Sequence, residues 1–425
     1  MLQVPMVHPE ALRKLRGHRK EILKAVTRCG IRSSRLYAQQ TPQCLAKRHC
    51  RFPMVPTVTV AIPAWEEEDV IEETIRQIKR QTYPIEKIIV VDDGSKDNTG
   101  KIAKLLGCQV IRLPRDGHNT KCRALNHAIA VATTELILIL DADTTSKWNA
   151  VEKLVPAFND RQVACVSGKV FPRFVRTLWE RGRFIEYLFG FMVPKVMQSK
   201  LDTILVSPGC FSVYRTTLLR KFGGFVPRTL GEDMDMTWTA IVAGRRVEYR
   251  PDATCYPVEP RSAKLFIKQS DRWDRSFLQC IKVRLKRPTL QGTVYHTASW
   301  LRVFFGGIRV GRLEVFGTMR PGARRLTAMV SYYMVKIMLM PVLVPIFFWE
   351  LKKDIGWTLT YTLLTHLGLE WLPALIEARR QGLFWTALTS LPAALVTQYV
   401  GIVIYLRAFI LESLGFTLMK WNKGH

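Results

Sequence analysis

The chain has 425 residues and a formal net charge of +28, which allows more than one domain and favours an anionic partner. The positive charge is concentrated in two blocks. Residues 1–51 hold 12 Lys and Arg against 2 Asp and Glu, and residues 259–330 hold 15 against 4. No nucleic-acid recognition motif accompanies these blocks, so we expect an anionic membrane surface and no nucleic acid as the partner.

Residues 1–55 are predicted to be a basic N-terminal extension without a chemical motif. The first 30 residues contain no continuous apolar run, so no signal peptide is predicted. The nine cysteines show no Cys-x-x-Cys spacing, a pattern typical of reduced cytosolic thiols. We therefore expect the domain that follows to lie in the cytoplasm.

From residue 56 onwards, apolar runs alternate with amphipathic segments. Strands are predicted at 58–63, 85–91, 109–113 and 136–140, and helices at 67–81, 99–106 and 121–132. Alternation of strands and helices of these lengths predicts an α/β domain with a mostly parallel, doubly wound sheet and helices on both faces. We place this domain at residues 56–280.

Two carboxylates follow the most apolar of these strands. Asp141 and Asp143 come after Leu136–Leu140, and their i, i+2 spacing directs both side chains the same way. Ligands bind at the carboxyl ends of strands in such sheets, and two carboxylates there suit a hard divalent cation beside a phosphate group. The alternative is an acidic cap for the next helix. Asp92 and Asp93 end another strand at the same predicted edge.

The C-terminal part, residues 331–425, is predicted to be a membrane region. Its candidate spans are the apolar segments 331–349, 355–376 and 383–406. Each approaches the roughly 20 apolar residues that a spanning helix needs. Residues 407–421 resemble an amphipathic tail, and residues 281–330 resemble basic helices or a linker at the membrane interface. We expect an integral protein of the cell membrane; buried helices of a soluble domain are the alternative.

Four motifs occur in an order and at spacings similar to those of a known family. They are Val90-Val-Asp-Asp-Gly-Ser95, Asp141-Ala-Asp143, Gly231-Glu-Asp233 and Gln269-Ser-Asp-Arg-Trp273. Over roughly residues 56–280 the chain resembles family 2 glycosyltransferases with a GT-A (Rossmann-like) fold. More narrowly, it is similar to the membrane-embedded branch that makes cellulose, chitin, hyaluronan or poly-N-acetylglucosamine. The resemblance implies a UDP-sugar donor and Mg²⁺ or Mn²⁺ as the cofactor.

The resemblance also assigns donor and metal contacts. Donor nucleotide recognition would involve Pro63, Glu67, Asp92, Asp93, Lys121 and Asp141. A strand-end carboxylate can accept a hydrogen bond from the uracil imide, although Asp-Gly-Ser also favours a turn. The metal would be held by Asp143 and Asp141, with Asp143 as the more direct ligand. The chain departs from the family at Glu66, where Asn is usual, and at Thr120, where Gly is usual.

The remaining motifs supply a base and an acceptor site. In-line displacement by a sugar hydroxyl inverts the anomeric centre and needs a carboxylate to take the proton. By resemblance Asp233 is that base and Glu232 assists it, while Asp235 is the competing choice; an acidic first helical turn is the structural alternative. The acceptor and diphosphate residues are Gln269, Arg272 and Trp273, which share one helical face, together with Gly209.

Three functions remain open. The first is extension of a β-linked polysaccharide. The second is transfer of one sugar to a lipid acceptor such as a polyprenyl phosphate or glycolipid, which gains weight because no span is predicted before the catalytic domain. Three spans make a narrow route for a polymer unless interface helices or an oligomer complete it. The most distant alternative is a basic nucleic-acid-binding or scaffold protein of the membrane.

Overall fold

The computed structural model describes residues 56–115, 121–285 and 367–416, together with scattered positions between 325 and 364. The predicted N-terminal extension at 1–55 and almost all of the predicted interfacial region and first span lie outside the described residues. The compact unit described here begins at Pro56.

One eight-stranded sheet forms the centre of this unit. Its strands are β1 (Val58–Ala64), β2 (Lys87–Asp92), β3 (Gln109–Arg112), β4 (Leu136–Leu140), β5 (Thr145–Ser146), β6 (Val163–Val170), β7 (Phe211–Arg215) and β8 (Arg246–Tyr256). The strand order is β3-β2-β1-β4-β7-β6-β8-β5. The first four strands in this order pair in parallel, as do β6 and β8, while β7 is antiparallel to both of its neighbours.

Helices cover both faces of the sheet, as the sequence predicts. In chain order they are α1 (Ile71–Lys79), α2 (Thr99–Leu105), α3 (Lys121–Val131), α4 (Ala150–Leu154), α5 (Leu178–Met192), α6 (Pro194–Lys200), α7 (Thr216–Lys221), α8 (Glu232–Val242) and α9 (Ala263–Leu285). The described C-terminal helices are α10 (Leu372–Arg380), α11 (Phe384–Leu388) and α12 (Leu391–Ser413).

The apolar run Leu136–Leu140 is continuous because it forms β4, a strand that is buried on both faces. Successive side chains of a strand point to opposite faces, and here both faces are buried. Leu138 faces a core cluster that includes Ile75 of α1, whereas Ile137 and Ile139 face a second cluster that includes Leu125 of α3. All five residues of β4 are buried in these clusters. Asp141 is therefore the first residue after the start of β4 that can carry a charge without lying in the apolar core.

The C-terminal helices pack against the unit that contains the sheet through α5. Ala374 of α10, Ala387 of α11 and Ala394 of α12 belong to one core cluster with Phe184 and Leu188. The contact is close, since a Cβ atom added to Gly182 of α5 would lie 2.2 Å from the Thr397 hydroxyl of α12. Small residues therefore set the distance between these helices.

Helix α12 has 23 residues, about 35 Å at 1.5 Å per residue, and within the described part of the chain it is the one helix long and apolar enough to cross a membrane. It differs from the predicted span at 383–406. Residues 384–388 form the separate helix α11, and α12 continues to Ser413, into the predicted amphipathic tail. The continuation is explained by the partners of its charged residues: Arg407 lies 2.6 Å from Asp271, and Glu412 lies 2.7 Å from Lys282.

The predicted span at 355–376 is described continuously only from residue 367. There the chain forms a single π-helical turn, Leu367–Trp371, and then α10, which extends past the predicted end of the span to Arg380. Glu377 of α10 forms an ion pair of 3.0 Å with Lys169 of β6. This contact ties α10 to the sheet.

Candidate active site

The ends of β1, β2 and β4 border a cavity of about 390 Å³. Its size is in the range of small-ligand sites in proteins. Most of the residues predicted from sequence line it, namely Pro63, Glu67, Asp93, Lys121, Asp141, Asp143, Gly209, Glu232, Asp233, Gln269, Arg272 and Trp273. Asp92 is the predicted site residue that the structure does not bring to the cavity.

The strand-end carboxylates lie side by side at the cavity wall. Asp143 is mostly buried and accepts a hydrogen bond of 3.0 Å from the hydroxyl of Thr144. Burial raises the pKa of Asp141; the charge of Lys121 counteracts this rise and that of Asp143 adds to it. Two carboxylates crowded in a poorly solvated place favour binding of a cation.

Lys121 contacts three separate parts of the chain. It is the first residue of α3, and its Nζ lies 2.6 Å from Asp141 Oδ1 and 3.6 Å from Glu232 Oε1, and donates to the Gly209 carbonyl at 3.3 Å. Burial alone lowers the pKa of Lys121, but the charges of Asp141 and Glu232 outweigh it, so the net shift is upward. The crevice therefore contains a stable positive charge.

Asp233 is fixed by the backbone. Its Oδ2 accepts the Gly209 N–H at 2.8 Å and its Oδ1 accepts the Met234 N–H at 2.8 Å. An added Cβ on Gly209 would lie 3.2 Å from Lys121 Nζ and 3.3 Å from Asp233, so a side chain there would have to push these groups apart. Glycine at this position lets the backbone approach the carboxylate.

Asp235, the competing choice for the base, does not line the cavity. It is buried, and its two oxygens lie 2.8 Å and 3.0 Å from the guanidinium of Arg228. Asp233 and Glu232 lie in the first turn of α8 together with it, so the acidic-turn reading also holds locally. Burial raises the pKa of Glu232, with Lys121 opposing the shift.

At the other end of the cavity, Gln269, Arg272 and Trp273 lie on α9, on one face as their spacing predicts. Arg183 of α5 supports this face. Its guanidinium lies 4.5 Å from the centre of the Trp273 ring and donates to Gln269 Oε1 at 3.0 Å. The position of this motif therefore depends on a helix from a distant part of the chain.

A neighbouring face of α9 contacts α12. Glu412 is only 1% exposed; its carboxylate accepts from Gln279 at 3.0 Å and lies 3.4 Å from Arg275 and 2.7 Å from Lys282. A carboxylate this deeply buried requires such partners. Helix α9 is thus fixed between the cavity and the C-terminal helix.

The family model "Glycosyltransferase like family 2" matches residues 56–276, the segment that contains the sheet and the cavity. The chain belongs to glycosyltransferase family 2. The family named from the four motifs is thereby confirmed.

Several relatives are similar to this family 2 protein over more than half of its length. "Probable glycosyltransferase YdaM" of Bacillus subtilis (strain 168) is 30% identical over 272 residues, which are 60% of this chain and 64% of that protein. Hyaluronan synthase of Streptococcus pyogenes is 31% identical over 250 residues, 54% of this chain and 59% of that protein. Poly-beta-1,6-N-acetyl-D-glucosamine synthase of Staphylococcus aureus (strain MSSA476) is 25% identical over 51% of this chain and 53% of that protein. The chain thus matches less than two thirds of the length of each relative.

A solved structure supports the fold. Mannosyltransferase PcManGT from Pyrobaculum calidifontis, in complex with GDP-Man and Mn²⁺, superposes with a TM-score of 0.52 at 21% identity. The superposition covers 80% of this chain and 86% of that one. The predicted GT-A fold is therefore confirmed.

The carboxylates of this family 2 protein fit a divalent metal. Mg²⁺ commonly uses one or two carboxylates and completes its shell with substrate phosphates and water. Asp141 and Asp143 supply such a pair, and the crowding of their charges would be relieved by a cation. Among the described residues, no group of three or more His, Cys, Asp or Glu side chains is arranged to hold a metal. A bound diphosphate would therefore have to provide further oxygens.

Asp92 is the last residue of β2 and does not line the cavity. It is 0% exposed, accepts the Ser95 N–H at 2.8 Å and lies 3.1 Å from Arg112 Nη1. These contacts shape the Asp-Gly-Ser turn, which was the structural alternative for this motif. Its neighbour Asp93 reaches the cavity instead.

Sequence reasoning missed several residues around the cavity. Trp65 lines it, with the guanidinium of Arg115 4.0 Å above its ring. Its place beside Pro63, in a loop already assigned to the donor, was the available signal. Glu66, the departure from the usual Asn, adopts a positive φ of 55° that Asn tolerates better.

A second cation, Lys195, lies near Asp233 but does not line the cavity. Burial lowers the pKa of Lys195 to about 8, although the charge of Asp233 opposes this shift.

Proposed function

We propose that this protein is an inverting glycosyltransferase that transfers a sugar from a UDP-sugar to a growing β-linked glycan. The observation that carries the proposal is one cavity lined by the strand-end pair Asp141 and Asp143, the backbone-held Asp233, and Arg272 and Trp273 of α9. Membership of family 2 supports glycosyl transfer. The relatives named hyaluronan synthase and poly-beta-1,6-N-acetyl-D-glucosamine synthase support a polysaccharide product.

The donor would bind with its nucleoside toward Trp65 and Asp93, where the indole offers a flat apolar surface and the carboxylate can accept the uracil imide N–H. Lys121 and Arg272 would face its diphosphate, since both cations line the cavity and both act on Glu232. A Mg²⁺ or Mn²⁺ ion held by Asp143 and Asp141 would neutralise negative charge on the leaving diphosphate. The mannosyltransferase with the same fold was solved with Mn²⁺ and a nucleotide sugar.

Asp233 would act as the general base. An acceptor hydroxyl attacks the anomeric carbon, the bond from that carbon to the diphosphate breaks, and the hydroxyl proton passes to the carboxylate. The N–H groups of Gly209 and Met234 each occupy one acceptor position on Asp233 and fix its orientation, while further lone pairs remain for the proton. A single displacement of this kind inverts the configuration.

A membrane location is supported by α12, whose length and apolar composition suit a span. We propose that the catalytic unit lies in the cytoplasm, which agrees with the basic charge of the chain and its free thiols.

The test is a transfer assay on the purified full chain in liposomes. UDP release and product length are measured with a panel of UDP-sugars, each with Mg²⁺, Mn²⁺ or a chelator. We expect UDP release with at least one donor, loss of release in chelator, and glycan products longer than one added sugar. A product with one sugar on an added polyprenyl phosphate, and no longer glycan, would contradict polymer extension.

A further inference from the structure

A buried carboxylate lines the cavity at its acceptor end and has no part in the proposed displacement. Glu259 lies just after β8 and is 3% exposed. It accepts a hydrogen bond of 2.8 Å from the Tyr187 hydroxyl and one of 3.4 Å from Gln269 Nε2. An ionised carboxylate offers about four acceptor positions, so Glu259 retains capacity for donors that enter the cavity.

The nearest cation does not fully neutralise Glu259. Arg183 Nε lies 3.9 Å from Glu259 Oε2, but the same guanidinium lies 2.7 Å from Glu186 and donates to Gln269 and Ser270. One positive charge is therefore shared between two carboxylates. Burial raises the pKa of Glu259 to about 7, with the charge of Arg183 acting in the opposite direction.

The same side chains define a platform for a sugar. The guanidinium of Arg183 lies over one face of the Trp273 ring and donates a hydrogen bond to Gln269. Gln269 in turn donates a hydrogen bond to Glu259. A ring face beside hydrogen-bonding oxygens is how proteins bind sugars: the apolar face of the pyranose stacks while its hydroxyls donate to carboxylates. Arg272 of α9 instead acts on Glu232, next to the proposed base, where its charge opposes the rise in the pKa of Glu232.

We propose that Glu259, positioned by Tyr187 and Arg183, accepts a hydrogen bond from a hydroxyl of the acceptor sugar and restricts the acceptor to uncharged sugars. This inference rests on the proposed glycosyl transfer. A uronic acid or a phosphate monoester at this place would bring a second negative charge beside a carboxylate that is shielded from water. The acceptor class is therefore a neutral β-linked glycan.

The test compares neutral and acidic acceptors on the full chain in detergent, with the donor that gives the fastest UDP release. The acceptors are cellobiose, N,N′-diacetylchitobiose, cellobiuronic acid with its carboxylate on the terminal ring, and a short-chain polyprenyl phosphate. For the wild-type protein we expect kcat/KM at least tenfold higher with a neutral disaccharide than with either anionic acceptor. A preference for an anionic acceptor would overturn the proposal.

Two variants separate this role from a structural one. Glu259→Gln keeps the shape and removes the charge; we expect about a tenfold higher KM for the neutral disaccharide and a neutral-to-acidic ratio below threefold. Tyr187→Phe should also raise the KM for the neutral disaccharide and lower the neutral-to-acidic ratio, but each by a smaller factor than Glu259→Gln. The control is Asp252→Asn, an exposed carboxylate of β8, which should keep the wild-type ratio. If Glu259→Gln leaves the ratio unchanged, the assignment of Glu259 is wrong.

A binding measurement keeps the inference testable if no transfer occurs. The measurement is saturation-transfer NMR on the protein in the presence of UDP and Mg²⁺, with no Mn²⁺ added. It reports contact with each disaccharide directly. Selective contact with the neutral disaccharides, lost in Glu259→Gln, would support the acceptor site even if the proposed reaction failed. Equal contact with neutral and acidic disaccharides in the wild-type protein would overturn it.

Discussion

The proposed donor end and the proposed acceptor end of the cavity are built differently. At the donor end, Asp93 follows β2, and Asp141 and Asp143 follow β4. These two strands flank β1 in the sheet, and the backbone geometry of the strand ends places the carboxylates. At the acceptor end, Trp273 and Gln269 are positioned by Arg183, which lies on a helix some 90 residues earlier in the chain. The side of α9 that faces α12 is held by the ion pair of Arg275 with Glu412. Local chain geometry controls the first end, and contacts between distant helices control the second.

The largest effect is expected at Asp233, where the two ends meet. Asp233→Asn should lower kcat by about 10²- to 10⁴-fold, because the amide cannot take the acceptor proton. Asp235→Asn is the matched control: Asp235 is two residues away and contacts Arg228 rather than the cavity. UDP release under saturating acceptor measures both. Equal losses in the two variants would contradict the assignment of the base.

The dependence of the acceptor end on α12 predicts a large effect on stability. Glu412→Ala leaves the buried Arg275 and the partly buried Lys282 without their shared carboxylate and should cost about 3–5 kcal/mol of unfolding free energy. Glu72→Ala, in the half-exposed pair with Arg76 on α1, should cost about 0.5 kcal/mol or less. Denaturant unfolding in detergent measures the two. Similar costs would show that α12 does not hold α9.

A smaller, local effect is expected at Gly209. Gly209→Ala places a methyl group against Lys121 and Asp233 and should lower kcat/KM about tenfold, since the N–H that orients the base is displaced. Gly190→Ala is the control, because a Cβ on this α5 residue meets no atom within 4 Å. That variant should retain wild-type kcat/KM. A wild-type rate in Gly209→Ala would refute the need for close backbone approach.

The smallest effect concerns pH. The pKa of Glu259 is raised to about 7, so between about pH 4.5 and 7 the folded protein binds a proton that the unfolded chain releases. Ionisation of this group therefore lowers stability as pH rises through 7. The Tm of Glu259→Gln relative to wild type should increase from pH 5 to pH 8, by a few degrees at most. A constant difference across this range would contradict a raised pKa.

Much of the fold followed from the sequence. The apolar run Leu136–Leu140 predicted a strand buried on both faces, and the alternation of strands and helices predicted the parallel half of the sheet. The antiparallel pairing of β7 was beyond this reasoning, because packing selects its partners β4 and β6 and no signal within Phe211–Arg215 specifies them. Similarly, the predicted apolar span at 383–406 did not reveal that α12 continues through Arg407 and Glu412.

The sequence by itself determined the family, the strand-end carboxylates and the helical face of Gln269, Arg272 and Trp273, because each depends on neighbouring residues and a fixed backbone period. Only the tertiary structure decided that Asp93 and not Asp92 faces the cavity, since two adjacent carboxylates look equivalent until Arg112 and Ser95 enclose one of them. It alone also brought Glu259 to the acceptor end. A buried charge is defined by its distant partners, and no local pattern encodes them.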